Sequence, residues 1–202
     1  GKEYENLVVL DADLAGATKT SVFQKAFPDR HIDCGIAEAN MTVIAAGLST
    51  CGKVPFASSF AMFSAGRALE QVRNSIGYPH LNVKIAATHA GISVGEDGAS
   101  HQCNEDIALM RTIPGMVVIN PADDVEARVA VAAAYEYEGP VYLRFGRLPI
   151  PVFNDEETYK FEMGKGVILR EGTDITLIAT GLCVSETMIA VLLLAGDGIA
   201  AT

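Results

Sequence analysis

Positive charge is scarce in this chain: 15 Lys and Arg stand against 25 Asp and Glu, a formal net charge of −10 over 202 residues. That deficit disfavours a nucleic-acid or anionic-membrane surface. It leaves phosphorylated small molecules open, because a few local Arg side chains and backbone N–H groups can hold one phosphate. No apolar run is long enough to cross a bilayer; Ile189 to Ala195 is far too short. No signal peptide opens the chain, which starts at Gly1 rather than Met. The four cysteines, Cys34, Cys51, Cys103 and Cys183, show no CxxC or other ligand spacing, which points to reduced thiols in a cytoplasmic protein. Internal repeats and low-complexity tracts are missing too. What is present is a 50% hydrophobic composition, which suits a buried core and argues against disorder. The length fits one good-sized domain, or one domain plus part of another.

Apolar runs alternate with helical patterns. Leu7-Val8-Val9-Leu10 ends at Asp11-Ala12-Asp13, and a second extended piece reaches Asp33. Val54-Pro55-Phe56-Ala57 leads into a helix predicted from about Ser64 to Ile76. Val83 to Ala87, Met116 to Ile119 and Val141 to Phe145 read as further buried strands. Pro121-Ala122-Asp123-Asp124 reads as a helix start. Continuous apolar strands separated by helices predict an α/β fold, a mostly parallel sheet with helices on both faces. Ligands of such sheets bind beyond the carboxyl ends of the strands, where Asp11, Asp13, Asp33, Thr88, His89 and Arg144 fall. The polar, Pro-punctuated stretch 151–163 reads as a linker after a domain over 1–150. Beyond it, Gly166 to Leu169 and Ile175 to Ala179 are expected to be the opening strands of a second α/β domain, with its first helix near Ser185. Roughly 40 residues are too few for a normal core, so the 164–202 segment is expected to be the truncated start of that domain.

Two stretches concentrate chemistry. In Asp33-Cys34-Gly35-Ile36-Ala37-Glu38-Ala39-Asn40-Met41 a single carboxylate, Glu38, sits among small and apolar residues as a helical pattern begins. Such a group is expensive to bury without a hydrogen-bond donor, which a ligand can supply; a first-turn acid favoured by the helix macrodipole is the plainer alternative. The loop from Thr88 to Gln102 packs two of the four histidines, two acids and three glycines into fifteen residues. Glycines let backbone approach a ligand, and histidines move protons near neutral pH. A zinc site at His89 and His101 lacks a third ligand at a recognised spacing. Phe60 and Phe63 lie three apart before a helical pattern; Arg67 and Arg73 taken singly read as surface charges; Arg144 and Arg147 flank a strand end and could clamp a phosphate. Gly196-Asp197-Gly198 follows a helical run rather than a strand and is set aside as a diphosphate motif.

In order along the chain, Asp11-Ala12-Asp13-Leu14, Gly35 to Met41, Pro55 to Phe63, Thr88-His89, Gly95-Glu96-Asp97-Gly98-x-x-His101-Gln102 and Pro121-Ala122-Asp123 resemble the thiamine-diphosphate enzymes of the transketolase family. The resemblance covers about residues 5–150, the family's pyrimidine-binding domain, and looks closest to the C-terminal subunit of split transketolases. It implies transfer of a two-carbon ketol unit between sugar phosphates, in the pentose phosphate pathway. It also implies that Glu38 hydrogen-bonds the aminopyrimidine of the cofactor and so activates it. Phe60 and Phe63 would line the pyrimidine pocket, and Asp13 would approach the cofactor from the first strand end. His89 and Asp97 would contact substrate hydroxyls; His101 would assist proton transfer or bind substrate; Arg144 or Arg147 would take the sugar phosphate. Where the family often has a third aromatic, this chain has Gly66. The diphosphate and Mg²⁺ site would belong to a separate N-terminal subunit, with thiamine diphosphate at the interface between the chains, within a heterotetramer that includes self-association of this chain, so activity is expected only with that partner. The alternatives are a 1-deoxyxylulose-5-phosphate synthase, a pyruvate-type dehydrogenase β subunit, and a non-catalytic dimerisation module of the same fold.

Overall fold

Six short segments pair into one sheet in the structure, a computed structural model that describes residues 1–202. They are β1 (Leu7–Asp11), β2 (His31–Asp33), β3 (Val54–Phe60), β4 (Lys84–Thr88), β5 (Val117–Ile119) and β6 (Val141–Arg144). Their spatial order is β2-β1-β3-β4-β6-β5, and every neighbouring pair is parallel. The expected α/β class is therefore what forms. All seven residues of β3 are buried, as an inner strand covered on both faces requires. The chain steps from β1 outward to β2, then back across β1 to β3. The order thus reverses at β1, and the crevice beyond the carboxyl ends of β1 and β3 is where such a sheet receives ligands.

Helices are supplied by α1 (Ala15–Thr18), α2 (Ser21–Ala26), α3 (Glu38–Thr50), α4 (Leu69–Gln71), α5 (Asp106–Arg111), α6 (Asp124–Glu136) and α7 (Cys183–Gly196). On α3 the buried residues are Glu38, Met41, Thr42, Ala45 and Ala46, one face at helical spacing. That face meets a core containing Leu10, Ala57, Ala61, Val72, Ile76 and Ile85. Val72 and Ile76 are fully buried, each worth about 1.5–3 kcal/mol relative to exposure.

The helix predicted over Ser64–Ile76 is not regular. Two wide π-helical turns, Met62–Arg67 and Val72–Gly77, flank the single turn of α4. Ala68 N–H donates to the Phe63 carbonyl at 3.1 Å, a five-residue span in place of the usual four. Such turns occur often at functional sites.

The chain divides into two compact units. One, Gly1–Ile119 with Ala134–Leu148, holds the whole sheet. The other comprises Asn120–Ala133 and Pro149–Thr202. In this second unit the strands expected at Gly166 to Leu169 and Ile175 to Ala179 do not form. A strand needs a neighbour to take its N–H and C=O groups, and the only pairing here is a parallel bridge between Ile175 and Ala201. Val167, Ile168 and Ile178 stay exposed as a result. The expected helix is present as α7. Asp123 ties the unit together: its carboxylate accepts N–H groups of Glu126, Phe153 and Asn154 at 2.8–3.1 Å.

Candidate active site

Glu38 opens α3, and the spacing that turns Met41 and Ala45 inward turns Glu38 inward with them; it is 2% exposed. Arg67 Nη1 donates to its Oε2 at 3.1 Å. No other group of the chain donates to the carboxylate, so Oε1 is left open. Arg67 is itself half-exposed, and its guanidinium carbon lies 4.6 Å from the centre of the Phe63 ring. Far from being an isolated surface charge, Arg67 belongs to the site. The clue in the sequence is its place four residues after Phe63 in the helical pattern predicted there.

Phe60 ends β3 and is buried. The His89 imidazole stacks on it, ring centres 3.9 Å apart and planes 21° from parallel. Phe63 lies 6.0 Å away on a near-parallel plane, and His101 meets Phe63 edge-on at 5.2 Å. The end of β3, the end of β4 and the glycine-rich loop thus converge on one aromatic–imidazole cluster. His89 is the first residue past β4 and is held at φ +58°, a conformation that costs energy outside glycine and gathers at functional sites. Its Nδ1 is 3.0 Å from Thr88 Oγ1. Burial lowers its pKa, the charges of Arg147 and His101 add to that, and Asp97 opposes them. The neutral imidazole is therefore the form present at neutral pH, able to accept a proton.

The loop is pinned at both ends. Gly91 and Cys103 exchange backbone hydrogen bonds at 2.8 and 3.2 Å, and Ala90 N–H donates to the Phe145 carbonyl at 3.1 Å. Between them, Asp97 sits exposed in a tight 3₁₀ turn, Gly95–Asp97. The two candidate phosphate arginines differ. Arg144 Nε is committed to the buried Asp106 Oδ2 at 2.8 Å, an oxygen that also accepts the Tyr142 hydroxyl at 2.9 Å. Arg147 pairs only with the exposed Glu96, at 2.8 Å, and can trade that partner for a phosphate. Asp106 is a second residue that sequence reading missed, since nothing local marks it as the anchor of Arg144. Asp13 lies past β1, exposed, at φ +60°, its N–H on Asp33 Oδ1 at 3.1 Å. No hydrogen bond joins it to the Glu38 cluster. The fully buried carboxylate of that turn is Asp11, which accepts the hydroxyls of Thr18 and Thr20 at 2.9 and 2.8 Å.

The structure thus links Glu38, Arg67, Phe63, Phe60, His89 and His101 in one run of contacts, with Asp97 and Arg147 in electrostatic reach of His89. Asp13 and Arg144 stand outside that run. The arrangement offers a carboxylate oxygen free of donors from the chain, flat apolar ring faces and a neutral imidazole, which together suit a planar heterocycle bearing hydrogen-bonding nitrogens.

Comparison with known proteins bears on the same residues. The family described as "Transketolase, pyrimidine binding domain" matches residues 1–151. A protein of Methanocaldococcus jannaschii named as a putative transketolase C-terminal section is 56% identical over 202 residues, all of this chain and 64% of that protein. A 6-deoxy-6-sulfo-D-fructose transketolase subunit of Clostridium sp. is 44% identical over 98% of this chain and 61% of its own length. The chain therefore spans a little over three-fifths of these curated relatives. A solved split-gene transketolase, described as an inactive β4 tetramer, superposes with a TM-score of 0.91 at 54% identity, over all of this chain and 64% of that one. The chain belongs to the transketolase family and carries its pyrimidine-binding domain.

Proposed function

We propose that this chain is the C-terminal subunit of a transketolase, transferring a two-carbon ketol unit between sugar phosphates with thiamine diphosphate. The observation that carries this reading is Glu38: a buried carboxylate with one oxygen free of any donor from the chain, at the edge of an aromatic cluster. That oxygen, unlike the unpartnered Oδ1 of Asp106, is not sealed from solvent, so a donor from a ligand can reach it. The aminopyrimidine ring fits it in chemistry, with nitrogens for Glu38 and flat faces for Phe60 and Phe63. Thiamine diphosphate, when bound, supplies the carbanion chemistry of ketol transfer. The chain's own residues bind and orient. Glu38 holds a proton at the pyrimidine ring nitrogen. Phe60 and Phe63 exclude water from that ring. His89, His101 and Asp97 meet substrate hydroxyls, with His89 neutral and able to accept a proton. Arg147, rather than the committed Arg144, receives the sugar phosphate.

The reading extends to assembly. Residues 1–150 form the pyrimidine domain, 151–163 a linker, and 164–202 the opening of the family's C-terminal domain. A separate N-terminal subunit supplies the diphosphate and Mg²⁺ site, and the complex works in the cytoplasm. The relative named as a C-terminal section and the split-gene structure support such a division of labour. The test is ketol transfer from xylulose 5-phosphate to ribose 5-phosphate, with and without the partner subunit, thiamine diphosphate and Mg²⁺. Activity is expected only when all are present. A folded, assembled complex that binds the cofactor yet transfers nothing between these sugars would move the assignment to another thiamine enzyme.

A further inference from the structure

Arg67 makes, from within the chain, contacts of the two kinds that the proposed reading gives to the aminopyrimidine, one on an aromatic face and one on the Glu38 carboxylate. Its flat guanidinium lies over the Phe63 ring at 4.6 Å, and its Nη1 donates to Glu38 Oε2 at 3.1 Å. The guanidinium is planar and weakly hydrated, which lets it stack on an aromatic face while it hydrogen-bonds in its own plane. The wide turn Met62–Arg67 sets it there, and the preceding residue, Gly66, adds no side chain beside it.

We infer that Arg67 is an affinity-determining residue for the cofactor. It is an internal counter-ion on Glu38 Oε2 that covers the Phe63 face until the aminopyrimidine, entering at Oε1, displaces it from that face. The inference rests on the reading of Glu38 above. Two observations give it direction. Glu38 is buried and would be left without any donor in the empty chain, so a resident cation is stabilising there. Arg67 is 55% exposed, so its head can turn to water at modest cost, unlike Arg144, which is 17% exposed and held by a carboxylate that cannot leave the core. A half-exposed ion pair and a cation over a ring are each weak contacts. Together they correspond to roughly tenfold in an equilibrium constant.

The experiment has two readouts, neither of them turnover. Thiamine diphosphate binding is titrated by calorimetry, in the presence of Mg²⁺, on the chain assembled with its N-terminal partner. Wild type, Arg67→Met, Glu38→Gln and the double variant are compared. Thermal melting of the chain alone is followed for the same four proteins. The expected result is about tenfold tighter binding for Arg67→Met, a lower melting temperature for that variant, and loss of both effects in the Glu38→Gln background. Unchanged or weaker binding by Arg67→Met overturns the exchange, and would make Arg67 a bystander or a supporting cofactor contact. Melting effects that simply add in the double variant overturn the Arg67–Glu38 contact itself. A wild-type complex that binds no thiamine diphosphate overturns the functional reading first and the exchange with it.

Discussion

Glu38 and Asp106 are both buried carboxylates beside an arginine, yet their surroundings assign them different work. Asp106 Oδ2 is doubly bonded, by Tyr142 and Arg144, from residues that are themselves mostly enclosed, and its unpartnered Oδ1 is sealed from solvent. Glu38 has one bond from a half-exposed partner and one open oxygen. A ligand can be recruited by the second and not by the first. Glu38→Gln keeps the size and polarity of the side chain, so the melting temperature is expected to stay within a few degrees of wild type. Ketol transfer by the assembled complex is expected to fall by about 10²–10⁴-fold, the usual weight of a proton-holding side chain. Steady-state rates beside a melting curve check this, and near-normal rates from a well-folded variant would sink the role given to Glu38.

At the scale of elements, the Asp106–Arg144–Tyr142 group fastens α5 to β6 beneath the loop that carries His89 and His101. Removing one member leaves a buried charge without its partner. Asp106→Ala is expected to destabilise the chain by about 3–5 kcal/mol in urea unfolding. A loss under about 1 kcal/mol, the scale of an exposed pair, would mean that this corner relaxes freely. Five of the six strands were legible because each holds a short apolar run, and helix α3 because its apolar residues recur at helical spacing; β2, His31-Ile32-Asp33, has a single apolar residue. The strand ends then placed Phe60, Thr88 and Arg144 at one end of the sheet by topology alone. What stayed hidden depends on distant partners: Arg67 meets Glu38 across 29 residues and Arg144 meets Asp106 across 38. The wide turns of 62–77 were hidden too, since apolar periodicity does not distinguish a π-turn from an α-turn over so short a span. Apolar content misled in the opposite sense at Val167 to Leu169: the run has strand composition, but a strand exists only where a second one receives its hydrogen bonds.

Across the whole molecule, the candidate site takes up the carboxyl-terminal end of the sheet, and the amino-terminal end holds a titratable group with no anionic partner in contact. Lys84 begins β4, is fully buried, and donates Nζ to the Tyr137 and Gly139 carbonyls at 2.6 and 2.8 Å. Burial lowers its pKa to about 7, with Glu138 opposing. In the unfolded chain the amine titrates near its ordinary value of about 10.5. Between these values the unfolded chain binds the extra proton, so folding stability rises with pH. The contribution is complete above about 10.5 and is lost progressively as the pH falls to about 7. Other groups titrate in the same range, so the quantity to follow is the difference between wild type and Lys84→Met, which leaves the rest of the chain's charges in place. Urea unfolding at about pH 7 and about pH 9.5 is expected to give a wild-type stability that gains on the variant by at least about 1 kcal/mol as the pH rises. A difference that does not move with pH would mean that the two carbonyls and the Tyr137 ring, 5.6 Å from Nζ, hold the ammonium form as firmly as water does.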